Sequence, residues 1–413
     1  MFKFLLVGLI PVSSFALDTE LHGFADGRFG MRTRNDPYED DRSLTELRLQ
    51  LDSKTYFDWG EFSARGDLVY DDLATDRDDI DLETGNGFFD LRELNLLFTP
   101  VDWADVKVGR QILTWGTGDL LFINDLFPKD WNSFLLGRDE EYLKAPSDAL
   151  FTSFFPAFAS IDVAYMPRMD ADRYIDGSRI SYWSPMAGSI TGQEFTAEER
   201  DDWFKDHEIS ARIYRPILGY EGALYAYHGF WKSPMGMNAA GNAYFPRMNA
   251  YGASAKGSLG DGLVNTELGY YDSREDTTAT QIVPNDEFRF LTGYEREVAK
   301  NLMAGVQYYV EWMMDYSDYK AGADPATARD ELRHVLTLRL TQMLMNQNLT
   351  LSLFTFYSPS DNDAYIRPGA TYKISDHWKV TASGNFFIGK DDHTFFGQLR
   401  YNSNLNLGVR YSF

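Results

Sequence analysis

The sequence predicts an all-β fold: a transmembrane antiparallel up-and-down barrel of about eighteen strands, with short periplasmic turns and long extracellular loops. Three observations carry this. Apolar and polar residues alternate with period two from end to end, while 3.6-residue patterns are scarce. Most alternating segments run to about 10–13 residues, the length of a tilted bilayer crossing. The connections between them are short and long in turn. A secreted β-sandwich would also bury one face, but its strands are shorter and its loops do not alternate in length. Closure follows because an open sheet edge in lipid leaves backbone groups unpaired.

In chain order, strands are expected near 20–33, 43–55, 61–71, 88–99, 104–114, 147–156, 159–167, 207–215 and 220–232. The series continues at 247–259, 263–273, 287–297, 301–313, 331–343, 348–358, 364–374, 378–389 and 403–413. The parity is plain along each. Leu47, Leu49 and Leu51 alternate with Arg48, Gln50 and Asp52; Leu336, Leu338 and Leu340 oppose Thr337 and Arg339. Short turns read "YFDWG", "PVDW", "PAF", "LGDG", "EVAK" and "SDHW". Trp59, Trp103 and Trp378 sit in or beside them, where an aromatic girdle belongs. An even strand count puts both ends of the barrel on the side of the short turns.

The first residues, "MFKFLLVGLIPVSSFALDTE", have Lys3, an apolar run, Pro11 and small residues at Ser14 and Ala16. That is the pattern of a secretory signal peptide over residues 1–16, cleaved after Ala16. The run is too short to span a bilayer, and no later segment supplies a helical span. The domain reading is therefore 1–16 leader and 17–413 barrel.

Composition narrows the function classes. The 413 residues carry a formal net charge of -23, the wrong sign for a nucleic-acid partner. The absence of cysteine removes disulfides, thiolate catalysis and Cys-ligated metals. Six histidines are scattered without HExxH or paired-His spacing, and no Gly-x-Ser-x-Gly elbow occurs. The expectation is no enzyme, no cofactor and no metal.

The chain finishes on "LNLGVRYSF", with Leu405, Leu407, Val409, Tyr411 and Phe413 on one parity. This segment resembles the terminal signature of bacterial outer-membrane proteins. The resemblance implies a Gram-negative outer-membrane location, lipid around the barrel, and an insertion signal at Tyr411 and Phe413 read by the barrel-insertion machinery. The strand "DVKVGRQILTWG" resembles the one that leads to the inward loop of several porin families, alginate-export-type channels and related porins among them. Arg110 is awkward there, because it shares parity with the lipid-facing Val106, Val108 and Ile112. Either Gly109 marks a register-flipping bulge or the strand has the opposite parity.

A barrel of this size leaves an aqueous lumen. The inward parity lines it with Arg28, Arg48, Arg65, Lys107, Arg212, Arg289, Arg339, Arg367 and Arg410. Glu93, Glu267, Glu295 and Glu311 stand against them. Many of these charges are expected to pair across strands; as a set they line a pore. The acid excess lies in the outer loops: "DDLATDRDDIDLE", Asp71 to Glu83, holds seven carboxylates. Such a mouth concentrates cations.

One long loop, "WGTGDLLFINDLFPKDWNSFLLGRDEEYLKAP" over 115–146, is apolar where outer loops are polar. Exposing it would cost about 1.5–3 kcal/mol per large side chain. It is expected to be buried, either folded into the lumen as a constriction, as a plug, or in a subunit contact. As an eyelet it would present Asp119, Asp125, Lys129, Asp130, Arg138, Asp139 and Glu140. A second long loop has capping-box spacing at Thr196 to Glu199 and predicts a short helix there.

The resemblance to porins implies a water-filled channel for small hydrophilic solutes or ions, alone or as a homo-oligomer. Two alternatives stand beside it: a channel specific for an anionic sugar, aromatic acid or oxyanion, and a scaffold barrel sheathing a periplasmic partner.

Overall fold

The computed structural model describes residues 18–74, 77–275 and 283–413. The expected leader lies outside them, as does Asp76 of the acidic loop. Eighteen antiparallel strands close into one barrel. They are β1 (Asp18–Arg32), β2 (Arg42–Phe57), β3 (Gly60–Asp71), β4 (Phe89–Val101), β5 (Ala104–Gln111) and β6 (Ser147–Phe154). Next come β7 (Ser160–Met166), β8 (Glu208–Ile217), β9 (Tyr220–Phe230), β10 (Arg247–Leu259), β11 (Gly262–Ser273) and β12 (Glu287–Ala299). The circuit ends with β13 (Leu302–Met313), β14 (Leu332–Leu344), β15 (Leu349–Ser358), β16 (Asp363–Lys373), β17 (Trp378–Gly389) and β18 (Asn404–Ser412).

Each strand pairs with its sequence neighbours, and β18 closes the ring on β1 in the register Phe24↔Ser412 through Arg32↔Asn404. Gly23 and Phe413 extend this seam by exchanging two backbone hydrogen bonds of 3.0 Å. The alternation is inverted relative to a water-soluble sheet. On β2, Leu47, Leu49 and Leu51 are exposed while Glu46, Arg48 and Gln50 are buried. On β18, Leu405, Leu407, Val409, Tyr411 and Phe413 are exposed and Arg410 is buried. An apolar exterior around a polar interior is the pattern a lipid solvent requires. Trp59, Trp103 and Trp378 are all exposed beside short turns.

Arg110 answers to neither expectation. The β4–β5 and β5–β6 registers run unbroken through Gly109, whose φ is +117°. Arg110 therefore keeps the lipid-facing parity, yet it is buried. Its guanidinium chelates Asp148 at 2.9 and 2.8 Å and donates to the Leu82 carbonyl at 2.7 Å, beneath the loop after β3. A covering loop, rather than a flipped strand, accommodates the charge.

The helix expected at Thr196 is absent. Tertiary partners claim that backbone instead: the Ala197 N–H donates to the Tyr174 hydroxyl, and Glu198 makes a β-bridge with Tyr244. The Glu198 N–H donates to the Ala243 carbonyl at 2.8 Å and its carboxylate accepts from Asn238 at 2.6 Å and Asn242 at 3.0 Å, so this stretch is held extended against the loop at 233–246. Helices form elsewhere, α1 at Trp131–Leu136 and α2 at Tyr316–Gly322.

Candidate functional site

The chain leaves β5 at Gln111 and returns at β6 after crossing the barrel interior. The apolar residues that made 115–146 anomalous form the core of that crossing. Ile123, Phe134, Leu135 and Leu136 pack with Met248, Tyr271, Leu291, Tyr309, Phe354, Phe356, Tyr365 and Phe387 from the inner wall. Trp115 and Phe127 make a second cluster with Ala149, Ala164 and Tyr225.

Polar ties fix the loop at successive stations. Glu267 on β11 accepts from the Thr117 N–H, from the Gly118 N–H at 2.7 Å, and from Asn124 through its backbone N–H at 3.2 Å and side chain at 2.8 Å. One carboxylate thus satisfies the donors of a tight turn that begins at Gly116, whose φ is +85°. Asp119 exchanges backbone bonds with the Gln307 side chain at 2.8 and 2.9 Å and forms a bidentate pair with Arg339. Asp130 caps α1 by accepting the Ser133 N–H at 2.7 Å, and Gly137 ends it with φ +96°. The Leu135 carbonyl accepts from Asn385 and Asn404, each at 3.1 Å.

On the return leg, Arg138 donates to Glu46 at 2.8 Å. Asp139 meets Arg28 and Arg410, with Lys379 at 3.6 Å. Burial opposes charge on Asp139, but Arg28, Arg410 and Lys379 outweigh it and hold the carboxyl below its usual range. Glu140 lies 3.6 Å from both Arg339 and Arg367, and Glu141 3.2 Å from Arg410. Tyr142 donates to Asp67 at 2.7 Å, with Arg48 stacked 4.3 Å from its ring centre.

The seven expected eyelet residues therefore divide by role. Asp119, Arg138, Asp139 and Glu140 reach the wall. Asp125 and Lys129 pair with each other at 3.0 Å, and with Asp130 they are buried in holding the loop together. Among the expected wall residues, Arg28, Arg339, Arg367, Arg410 and Glu267 bind the loop, as described. Arg48 pairs with Glu46 and Asp67, Arg65 with Asp52 and Glu93, and Arg212 with Asp162. Arg289 pairs with Glu287, and Glu311 with Arg333. Lys107 and Glu295 have no ion-pair partner among the described residues.

Beside the loop lies a cavity of about 770 Å³, lined by β2 to β4, by Arg212 and Lys256, and by both legs of the loop. Its charged lining is balanced, with Arg65, Arg92, Lys144, Arg212 and Lys256 against Glu93, Asp119, Asp125, Glu140 and Glu141. Opposed fixed charges across a water-filled gap orient water and bias ions. Burial pushes the Asp119 carboxyl up, and Arg339 pulls against it.

Several lining residues escaped the sequence reading. Lys256 was legible, since it shares the inward parity of Met248, Ala250 and Ser254 on β10. Arg92 was not, because the β3–β4 register shifts between Arg65 and Gly66 and turns both Arg92 and Glu93 inward. Tyr142 and Lys144 become neighbours of the wall only through the loop's path.

Above the site, the loop between β7 and β8 folds across the mouth. Arg179 pairs with Asp71 at 2.6 Å, Arg173 with Asp90 at 2.8 Å, and Ser181 donates to Asp36 at 2.7 Å. Asp172 accepts from the Lys129 N–H at 2.8 Å and the Trp131 indole at 3.0 Å, so this loop rests on the luminal one. The acidic rim is partly consumed in such ties: Asp72 pairs with Arg42 and Glu83 with Arg168.

No protein-family model and no curated protein matches the sequence. The fold does match solved structures. Similarity extends to Pseudomonas aeruginosa OccK3 (OpdO), at 12% identity and TM-score 0.56 over 96% of each chain. It extends also to OccD3 (OpdP) of that organism, at 9% identity and TM-score 0.56 over 96% of this chain and 91% of that one. OccK11 (OpdR) aligns at 8% identity and TM-score 0.55 over 96% of each chain. Nothing in these comparisons points to an alginate-export-type channel. The chain has the fold of an 18-stranded outer-membrane porin.

Proposed function

We propose that the protein is a passive channel of the Gram-negative outer membrane, filtering small hydrophilic solutes and ions by size and charge at the luminal loop. The observation that carries this reading is the charge-balanced cavity between that loop and the wall of β2 to β4. A loop anchored by Glu267, Arg339, Arg28 and Arg410 holds the gap at a set width, and its carboxylates face the basic wall. The same anchoring makes 115–146 the constriction, with Asp119 and Glu140 at its edge. Tyr411 and Phe413, on the lipid side of the closing seam, fit an insertion signal read by the assembly machinery.

A reconstituted, folded protein is expected to pass ion current in a planar bilayer and to swell liposomes at rates that fall with solute size. No current and no swelling would overturn the reading.

The specific channel for an anionic solute has one observation in its favour. Lys107, Lys144 and Lys256 have no ion-pair partner among the described residues, and Lys144 and Lys256 line the cavity. Current blocked by a single carboxylate or oxyanion at low concentration would select this second reading.

A further inference from the structure

Outside the lumen, the lipid-facing parity carries a row of polar side chains near the extracellular rim, where β8 begins and β9 ends. His207 continues the outward parity of Ile209, and His228 lies opposite Ile209 in the β8–β9 register. The two imidazole rings are 5.9 Å apart between centroids, with planes inclined by 48°. Their positions are 21 residues apart in sequence, so no spacing motif marks them.

Hydrogen bonds fix both tautomers. The Nδ1 of His207 lies 3.0 Å from the Phe204 carbonyl. A carbonyl only accepts, so Nδ1 carries the proton and the neutral ring keeps its lone pair on Nε2. The Nδ1 of His228 lies 2.7 Å from Asn249 Oδ1. The amide is oriented in turn: its Nδ2 donates to Asp272 at 3.0 Å, and Asp272 also accepts from Arg274 at 3.2 Å. The relay Arg274–Asp272–Asn249 thus presents the amide oxygen to His228 and leaves that Nε2 with its lone pair as well. An Nδ1–H held by a carbonyl or amide oxygen is the outer-shell arrangement of metal-ligating histidines.

We propose that His207 and His228 form a two-imidazole site for a divalent transition-metal ion, Zn²⁺ in the first instance, on the outward face of the barrel. Imidazole nitrogen suits Zn²⁺ and its neighbours in the first row. Metal–nitrogen bonds of about 2.0–2.1 Å put the centroids of two rings sharing one tetrahedral ion roughly 5 Å apart. Small ring rotations reach that from the observed spacing. Among the described residues no group of three or more His, Asp or Glu is placed to hold an ion, so water completes the coordination. His228 is exposed and His207 half-buried, which leaves the ion a path from the rim.

The test is calorimetric titration of Zn²⁺ into the folded full chain in detergent. One Zn²⁺ per barrel is expected. His207→Asn and His228→Asn should each weaken binding at least tenfold. Asn249→Ala keeps both rings but releases the relay, and should weaken binding on the order of tenfold. His334→Asn, elsewhere on the outer face, should leave it unchanged. Saturable binding that survives both single histidine variants, or none above the double variant, overturns the proposal. Zn²⁺ protection of the two imidazoles from diethyl pyrocarbonate makes the same test on the unsubstituted protein, and no protection overturns it equally.

Discussion

Replacing Glu267 with Gln should loosen the luminal loop without touching the barrel ladder. In the native arrangement both carboxylate oxygens accept: Oε1 from Thr117 and Gly118, Oε2 from the backbone and side chain of Asn124. A Gln side chain keeps one acceptor oxygen and turns an NH₂ group toward the donors on its other side. Two bonds are lost, each worth about 1.5–3 kcal/mol because the acceptor is charged. Taking the low end, the docked loop loses roughly 3 kcal/mol, a rise of about 100-fold in its undocked population. Glu267 is almost fully buried, so little water reaches the orphaned donors to offset the loss. Single-channel recording is the assay: the variant should show larger conductance and added open-channel noise, with the barrel still folded by its heat-dependent gel shift. Conductance and noise identical to the native channel would refute the claim that this carboxylate holds the constriction.

Four further outcomes follow from the same geometry. Lys256→Glu places an acid in the cavity where an exposed, unpaired ammonium stood, so reversal potentials in a salt gradient should move toward cations; no movement would take Lys256 off the ion path. The native channel itself should show weak cation preference from the residual rim acid, and anion preference would mean the luminal cations dominate. Gly137→Ala would set a Cβ 2.2 Å from Asn406 Nδ2 at a backbone φ of +96°, destabilising the end of α1 by about 1 kcal/mol or more; unchanged conductance noise would contradict this. Asp170 is pushed up to about 7 by burial and by the charge of Glu208, against the pull of Lys232. A folded value above the ordinary value of about 3.9 gives stability that is full below that value and lost as pH rises through about 7. At pH 8 the loop between β7 and β8 should therefore be cut by protease faster in the native protein than in Asp170→Asn, and the difference should shrink as pH falls toward about 3.9.

Much of the barrel was legible because its rule is local. A strand exposed to lipid on one face and water on the other must alternate, and the bilayer sets its length. Strand number, the short and long rims, the parity of Arg28 to Arg410, and the pairing of 403–413 with 20–33 all follow from that. The apolar content of 115–146 likewise marked it for burial. Which wall residues would receive it was not written locally, since Glu267 meets Gly118 across 149 residues and Arg339 meets Asp119 across 220.

Where tertiary partners compete, the local signal gave way. The capping-box spacing at Thr196 lost to hydrogen bonds from the loop at 233–246, and Arg110 kept an outward parity because another loop covers it. The acidic run after β3 proved to be partly a set of tethers. Taken alone, the sequence determined a closed lipid-facing barrel with a charged lumen, because period-two alternation and solvent preference are properties of neighbours in the chain. Only the tertiary structure decided how the luminal loop is anchored, which charges are left free beside it, and that His207 and His228 stand together on the outer face. Those depend on contacts between residues that the chain keeps far apart.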